Sequence, residues 1–177
     1  MKKTIDQFNA ALDGCKSIYL LKAGDYGPSW RVLRPETITD QLLIKARRIR
    51  QIETSGATAV GEGILPEFKA IVNYGIMGVI QLRLGAAQSK DMTADEALKL
   101  YENVAREARE LMVKKNTDYD EAWRAMRVSS YTDFILAKLE RIKEMEANDG
   151  HTDISEGIDS NYFDIINYAV FGIIRLS

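Results

Sequence analysis

Residues 22–53 read KAGDYGPSWRVLRPETITDQLLIKARRIRQIE, and residues 115–146 read KNTDYDEAWRAMRVSSYTDFILAKLERIKEME. The two segments align without a gap at an offset of 93 residues. Lys22, Asp25, Tyr26, Trp30, Arg31, Arg34, Thr39, Asp40, Leu43, Lys45, Arg48, Ile49 and Glu53 each meet an identical residue. After one inserted residue near Gly150, the match continues at an offset of 94. Glu62, Gly63, Ile64, Ile71, Asn73, Tyr74, Gly78, Ile80 and Leu82 then meet their counterparts from Glu156 to Leu176. So many identities in register define a tandem duplication over nearly the whole chain. Each copy has about 85 residues, small for an independent core. The expected organisation is a first repeat over 1–84, a linker over 85–93 and a second repeat over 94–177, the two sharing one core.

Apolar residues inside each copy recur at helical spacing. Ile5, Phe8, Leu12, Cys15, Ile18 and Tyr19 predict a first helix over 4–22, with a counterpart over 94–115. Thr93 and Asp95 offer the chemistry of a helix start. A turn-rich segment follows, AGDYGPSWR or NTDYDEAWR. The T-x-x-D at Thr37 predicts a capped second helix, and Ser130 with Asp133 repeats the pattern. The third helices, over 63–84 and 157–176, are apolar on most sides and are therefore expected at the centre. Gly75, Gly78 and Gly172 would let them approach closely. The fold class is thus all-α: six main helices from a duplicated three-helix unit, in a pseudo-twofold symmetric bundle.

Composition narrows the function. Of the 177 residues 46% are hydrophobic and 28% charged, which is globular. The net charge is −2, so a phosphate backbone is not an expected partner. One cysteine, Cys15, excludes an intramolecular disulfide and fits a reducing, cytoplasmic setting. One histidine, His151, excludes a multi-His metal site and falls in a polar loop. The N-terminal stretch lacks a signal-peptide core, and apolar runs at 71–84 and 165–176 are too short for a bilayer.

Two constellations carry candidate chemistry. Glu156, Ser160, Asp164 and Asn167 fall within a stripe of roughly 80° on an otherwise apolar helix. Mg²⁺ would suit such carboxylates, with Glu107 and Glu110 facing them from the long helix before. Alternatively, Asp164 pairs with Lys138 or Arg141, and Glu107 and Glu110 are solvated surface. The first copy is poorer in carboxylates, with Gly14, Ser17 and Ala70 at the corresponding places. The second constellation is Lys-x-x-Asp-Tyr-x-x-x-Trp, present twice. Lys22 and Lys115 suit phosphate contact, as do Lys45, Arg48, Lys138 and Arg141. Tyr26 and Trp30, or Tyr119 and Trp123, offer faces for a base, beside Asp25 or Asp118. The alternative makes Trp30 and Trp123 core anchors.

The K-x-x-D-Y-G-x-S-W segment, the K-x-x-R helix and the E-x-x-x-D-x-x-x-D-x-x-N-Y pattern resemble the nucleotide modification associated domain family. That family is in turn distantly similar to the all-α MazG-like nucleoside triphosphate pyrophosphohydrolases, which hold Mg²⁺ on helical carboxylates. The second copy departs from the first motif at Asp120, Glu121 and Ala122. Ser160 replaces an aspartate of the last motif, and in the first copy Pro66 and Ala70 replace both. The resemblance implies a nucleotide-binding protein of the Mg²⁺-dependent pyrophosphohydrolase kind, the alternative being a non-catalytic helical scaffold or regulatory module. The implied partners are a nucleotide or nucleoside triphosphate and, at most, a second copy in a homodimer.

Overall fold

The structure, a computed structural model, describes residues 1–23, 27–56, 63–148 and 157–177. Asp25, Tyr26, Glu62, His151 and Glu156 lie outside the described residues. Six helices run in the expected order: α1 (Lys2–Ala23), α2 (Pro35–Ser55), α3 (Leu65–Leu84), α4 (Ala94–Tyr119), α5 (Val128–Ala147) and α6 (Ile158–Leu176). Short 3₁₀ turns at Ser29–Val32 and Ala122–Ala125 precede α2 and α5. Among the described residues no helix is long and apolar enough to cross a membrane.

The helix starts correct one expectation. Neither Thr37 nor Ser130 caps a helix. α2 begins at Pro35 behind Arg34, and α5 at Val128 behind Arg127, neither with a side-chain cap. Pro35 fits the first turn because its ring fixes a helical φ and it has no N–H to leave unpaired. Thr93 does cap α4: its hydroxyl accepts from the Glu96 amide, and the Glu96 carboxylate reaches back to the Thr93 amide.

α3 and α6 pack against each other at the centre, flanked by α2 and α5, with α1 and α4 outside. The buried side chains of both repeats merge into one cluster. The repeats meet reciprocally, since Tyr162 of α6 lies on Gly78 and its counterpart Phe68 of α3 lies on Gly172. Hydrogen bonds repeat as well. Asn73 donates to the Cys15 carbonyl at 3.0 Å, and Asn167 to the equivalent Ala108 carbonyl at 3.2 Å. Gln81 ties down the carbonyls of Arg31 and Leu33, while Arg175, its counterpart, does the same for Arg124 and Met126. Paired contacts of this kind locate the pseudo-twofold between α3 and α6.

Candidate functional site

The duplication places the same candidate residues twice, and the two settings differ. In the second repeat Lys115, on the last turns of α4, and Lys138, on α5, converge on Asp164 of α6. Their ammonium groups lie 2.5 and 3.0 Å from the two carboxylate oxygens. The side chains of Lys138 and Asp164 are only 16% and 11% exposed, so the pair is poorly screened. Phe171 meanwhile stacks on Trp123, with ring centroids 4.3 Å apart and planes within 5°. Arg124 sits 4.3 Å over the same indole. Trp123 is thus a core anchor, its face already covered, while Asp118 and Tyr119 are exposed at the end of α4.

The carboxylates named for a metal are not gathered. Glu107 holds Arg83 through both oxygens, at 2.7 and 2.9 Å. Glu110 lies 3.8 Å from Arg106, one turn away on α4. Among the described residues no group of three or more His, Cys, Asp or Glu side chains is placed to hold a metal ion. Two ammonium groups on Asp164 also oppose a divalent cation there. Asn167 donates its amide to the backbone of α4 at Ala108, while its Oδ1 is buried without a hydrogen-bond partner. Arg141 is exposed on α5 and is not free.

In the first repeat the charges are redistributed. Lys45 and Arg48 of α2 both pair with Glu67 of α3, which is buried. Glu67 stands one turn before Ala70, the position where the second repeat has Asp164. The carboxylate has moved a turn along the helix: it keeps Lys45, the counterpart of Lys138, and takes Arg48 as its second cation. Lys22 is left without an ion-pair partner among the described residues. It lies instead at a cleft of about 420 Å³, whose walls include Tyr19, Trp30, Ala70, Tyr74 and Met77. That volume is within the range of small-molecule sites. Ala70 and Met77 stand where Asp164 and Phe171 stand in the second repeat, and these two exchanges leave the space open.

The cleft walls are rigid. The Asn73 amide spans from the Cys15 carbonyl to the Tyr101 hydroxyl, which donates to it at 2.5 Å. Tyr101 stacks on Tyr19 at 4.6 Å. Burial raises the Tyr19 and Tyr101 phenols above their ordinary values, so both stay protonated and neutral. Cys15 behind them is buried and its thiol is pushed up to about 12, which makes it an inert core residue.

A duplicated all-α unit, with a lysine, a tryptophan and an apolar central helix brought together in each copy, defines the class. The sequence model described as nucleotide modification associated domain 1 matches residues 22–82 and again 115–176. These segments cover more than half of the chain, which therefore belongs to that family as a tandem form. No curated protein and no solved structure matches it.

Proposed function

We propose that the chain binds a nucleotide in the cleft of the first repeat, with the second repeat as its scaffold. The observation that carries this reading is the contrast between Lys22 and Lys115. The second ammonium is neutralised by Asp164, whereas the first faces an open, aromatic-walled space beside Ala70. A phosphate would pair with Lys22 at the mouth, where the side chain is exposed and its charge costs little to leave unpaired. A base would lie along Tyr74, because aromatic faces accept any nucleobase, while Trp30 lines the same cleft as a buried core anchor, as Trp123 does in the second repeat. Binding, without hydrolysis, is the reading favoured: Glu107, Glu110 and Asp164 are each engaged with cations, and no carboxylate set faces Lys22 among the described residues.

Calorimetric titration of the chain with a panel of nucleoside and deoxynucleoside triphosphates, with and without Mg²⁺, tests this reading. One molecule should bind per chain, and Lys22→Ala should weaken binding about tenfold, the value of one charge-assisted contact. Monophosphate and pyrophosphate are followed in the same samples. Absence of heat with every nucleotide would contradict binding. Release of pyrophosphate that depends on Mg²⁺ would instead place the chain among the pyrophosphohydrolases.

A further inference from the structure

We infer that the second repeat holds a phosphate-class anion site plugged by the chain's own Asp164. Three helices converge there: α4 brings Lys115, α5 brings Lys138 and α6 brings the carboxylate between them. Two cations around one anion leave a surplus positive charge, and Lys138 is largely buried. A buried ammonium is stable only with a counter-charge. The Asp164 carboxylate supplies that charge, one oxygen to each ammonium. At the equivalent position of the first repeat stands Ala70, and there the space is open. Exchange of Asp164 for Ala70, together with Phe171 for Met77, therefore separates a closed copy from an open one.

The ligand class follows from what remains around the plug. Phe171 covers Trp123 and Phe134 covers Tyr168, the counterparts of the Trp30 and Tyr74 that line the first cleft, so the aromatic faces beside the plug are already stacked. The site takes phosphate or pyrophosphate, free or as the tail of a nucleotide, and gains nothing from the nucleoside. The inference stands apart from the nucleotide reading of the first cleft, and its test keeps that cleft closed.

The experiment uses the full chain carrying Ala70→Asp, and the same chain with Asp164→Ala added. Alanine removes both the plug and its charge and reproduces the residue found in the open copy. Thermal unfolding is followed with and without inorganic pyrophosphate. Pyrophosphate should raise the Tm of the double variant by on the order of 5 °C when in large excess over its Kd. It should leave Ala70→Asp alone unmoved. Adding Lys138→Gln should abolish the response, and ATP should do no better than inorganic triphosphate. An equal response with and without Asp164→Ala would overturn the inference. So would an Asp164→Ala chain that fails to fold even in excess pyrophosphate, because the carboxylate would then be a structural partner that no phosphate replaces.

Discussion

The Thr39 hydroxyl of the first repeat donates to the Glu146 carboxylate of the second at 2.8 Å. The mirror contact is present, Thr132 donating to Glu53 at 3.1 Å. Thr39 and Thr132 are counterparts, as are Glu53 and Glu146. Each repeat thus lends its second helix a carboxylate from the other. Desolvation dominates both acids and raises them above the usual carboxylate range, despite the threonine hydrogen bonds. A raised folded-state value means that the folded chain binds the proton more tightly. The stability from these groups is complete below the ordinary glutamate value of about 4.3 and is lost as pH rises through the raised one. Glu53→Gln and Glu146→Gln keep an acceptor for threonine without the charge. Each should raise the Tm at pH 7 by about 1–2 °C, discounted for partial exposure. The gain should shrink as the pH falls toward 4. Calorimetric melts over pH 4–8 check the sign.

Gly78 is where the two central helices touch most closely. A Cβ there would come within 2.6 Å of the Tyr162 ring. That ring cannot easily retreat, since its hydroxyl is bonded to Thr39 at 2.5 Å. Gly172→Ala meets Phe68 at 3.0–3.1 Å, a contact that a small ring shift relieves. Gly78→Ala should therefore cost about 1–3 kcal/mol in denaturant unfolding. Gly172→Ala should cost less, because the better helix propensity of alanine offsets part of the crowding.

Arg31 ties the linker to the first repeat. It is only 3% exposed, pairs with Asp91 at 3.0 Å, donates to the Gly85 carbonyl and contacts Gln81. Lysine has the charge but not the fork that serves three acceptors. Arg31→Lys should destabilise by about 2 kcal/mol, and Arg124→Lys by less, since its guanidinium is 31% exposed. Urea midpoints rank the two.

Backbone strain separates the copies at the turn before the 3₁₀ segment. Gly27 takes φ +68° in the first repeat, whereas Asp120 and Glu121 take +48° and +57° in the second. Asp120→Gly relieves a left-handed conformation that aspartate tolerates only in part. It should raise the Tm by about 1–3 °C, set against the greater freedom glycine gives the unfolded chain. A fall in Tm would mean that the aspartate stabilises this turn.

Much of this architecture is legible in the sequence. Identities at a fixed offset announce the duplication, and heptad-like apolar spacing announces six helices. The apolar character of 63–84 and 157–176 places them centrally, and Gly78 and Gly172 mark their contact. The helix starts are less legible, because Thr37 and Ser130 carry capping chemistry one turn inside helices that begin at Pro35 and Val128. Around the site, the polar stripe leaves open whether a metal or a cation of α5, Lys138 or Arg141, satisfies Asp164; that Lys115 joins them from the end of α4 is not legible, because it depends on how α4 packs on α6. Ala70 reads as a loss when the copies are aligned at a fixed offset. In space Glu67, one turn earlier on α3, takes over the pairing with Lys45, the counterpart of Lys138, and adds Arg48. The cleft itself is made by what Ala70 and Met77 lack, and small side chains give no motif.

Titration of a nucleoside triphosphate into the Ala70→Asp chain tests the central claim most directly. The new carboxylate reproduces beside Lys22 the pairing that Asp164 makes with Lys115. Binding should fall at least tenfold relative to the wild-type chain, with the unfolding transition still cooperative and its Tm within a few degrees. Undiminished affinity in that folded variant would contradict the assignment of the first-repeat cleft as the nucleotide site.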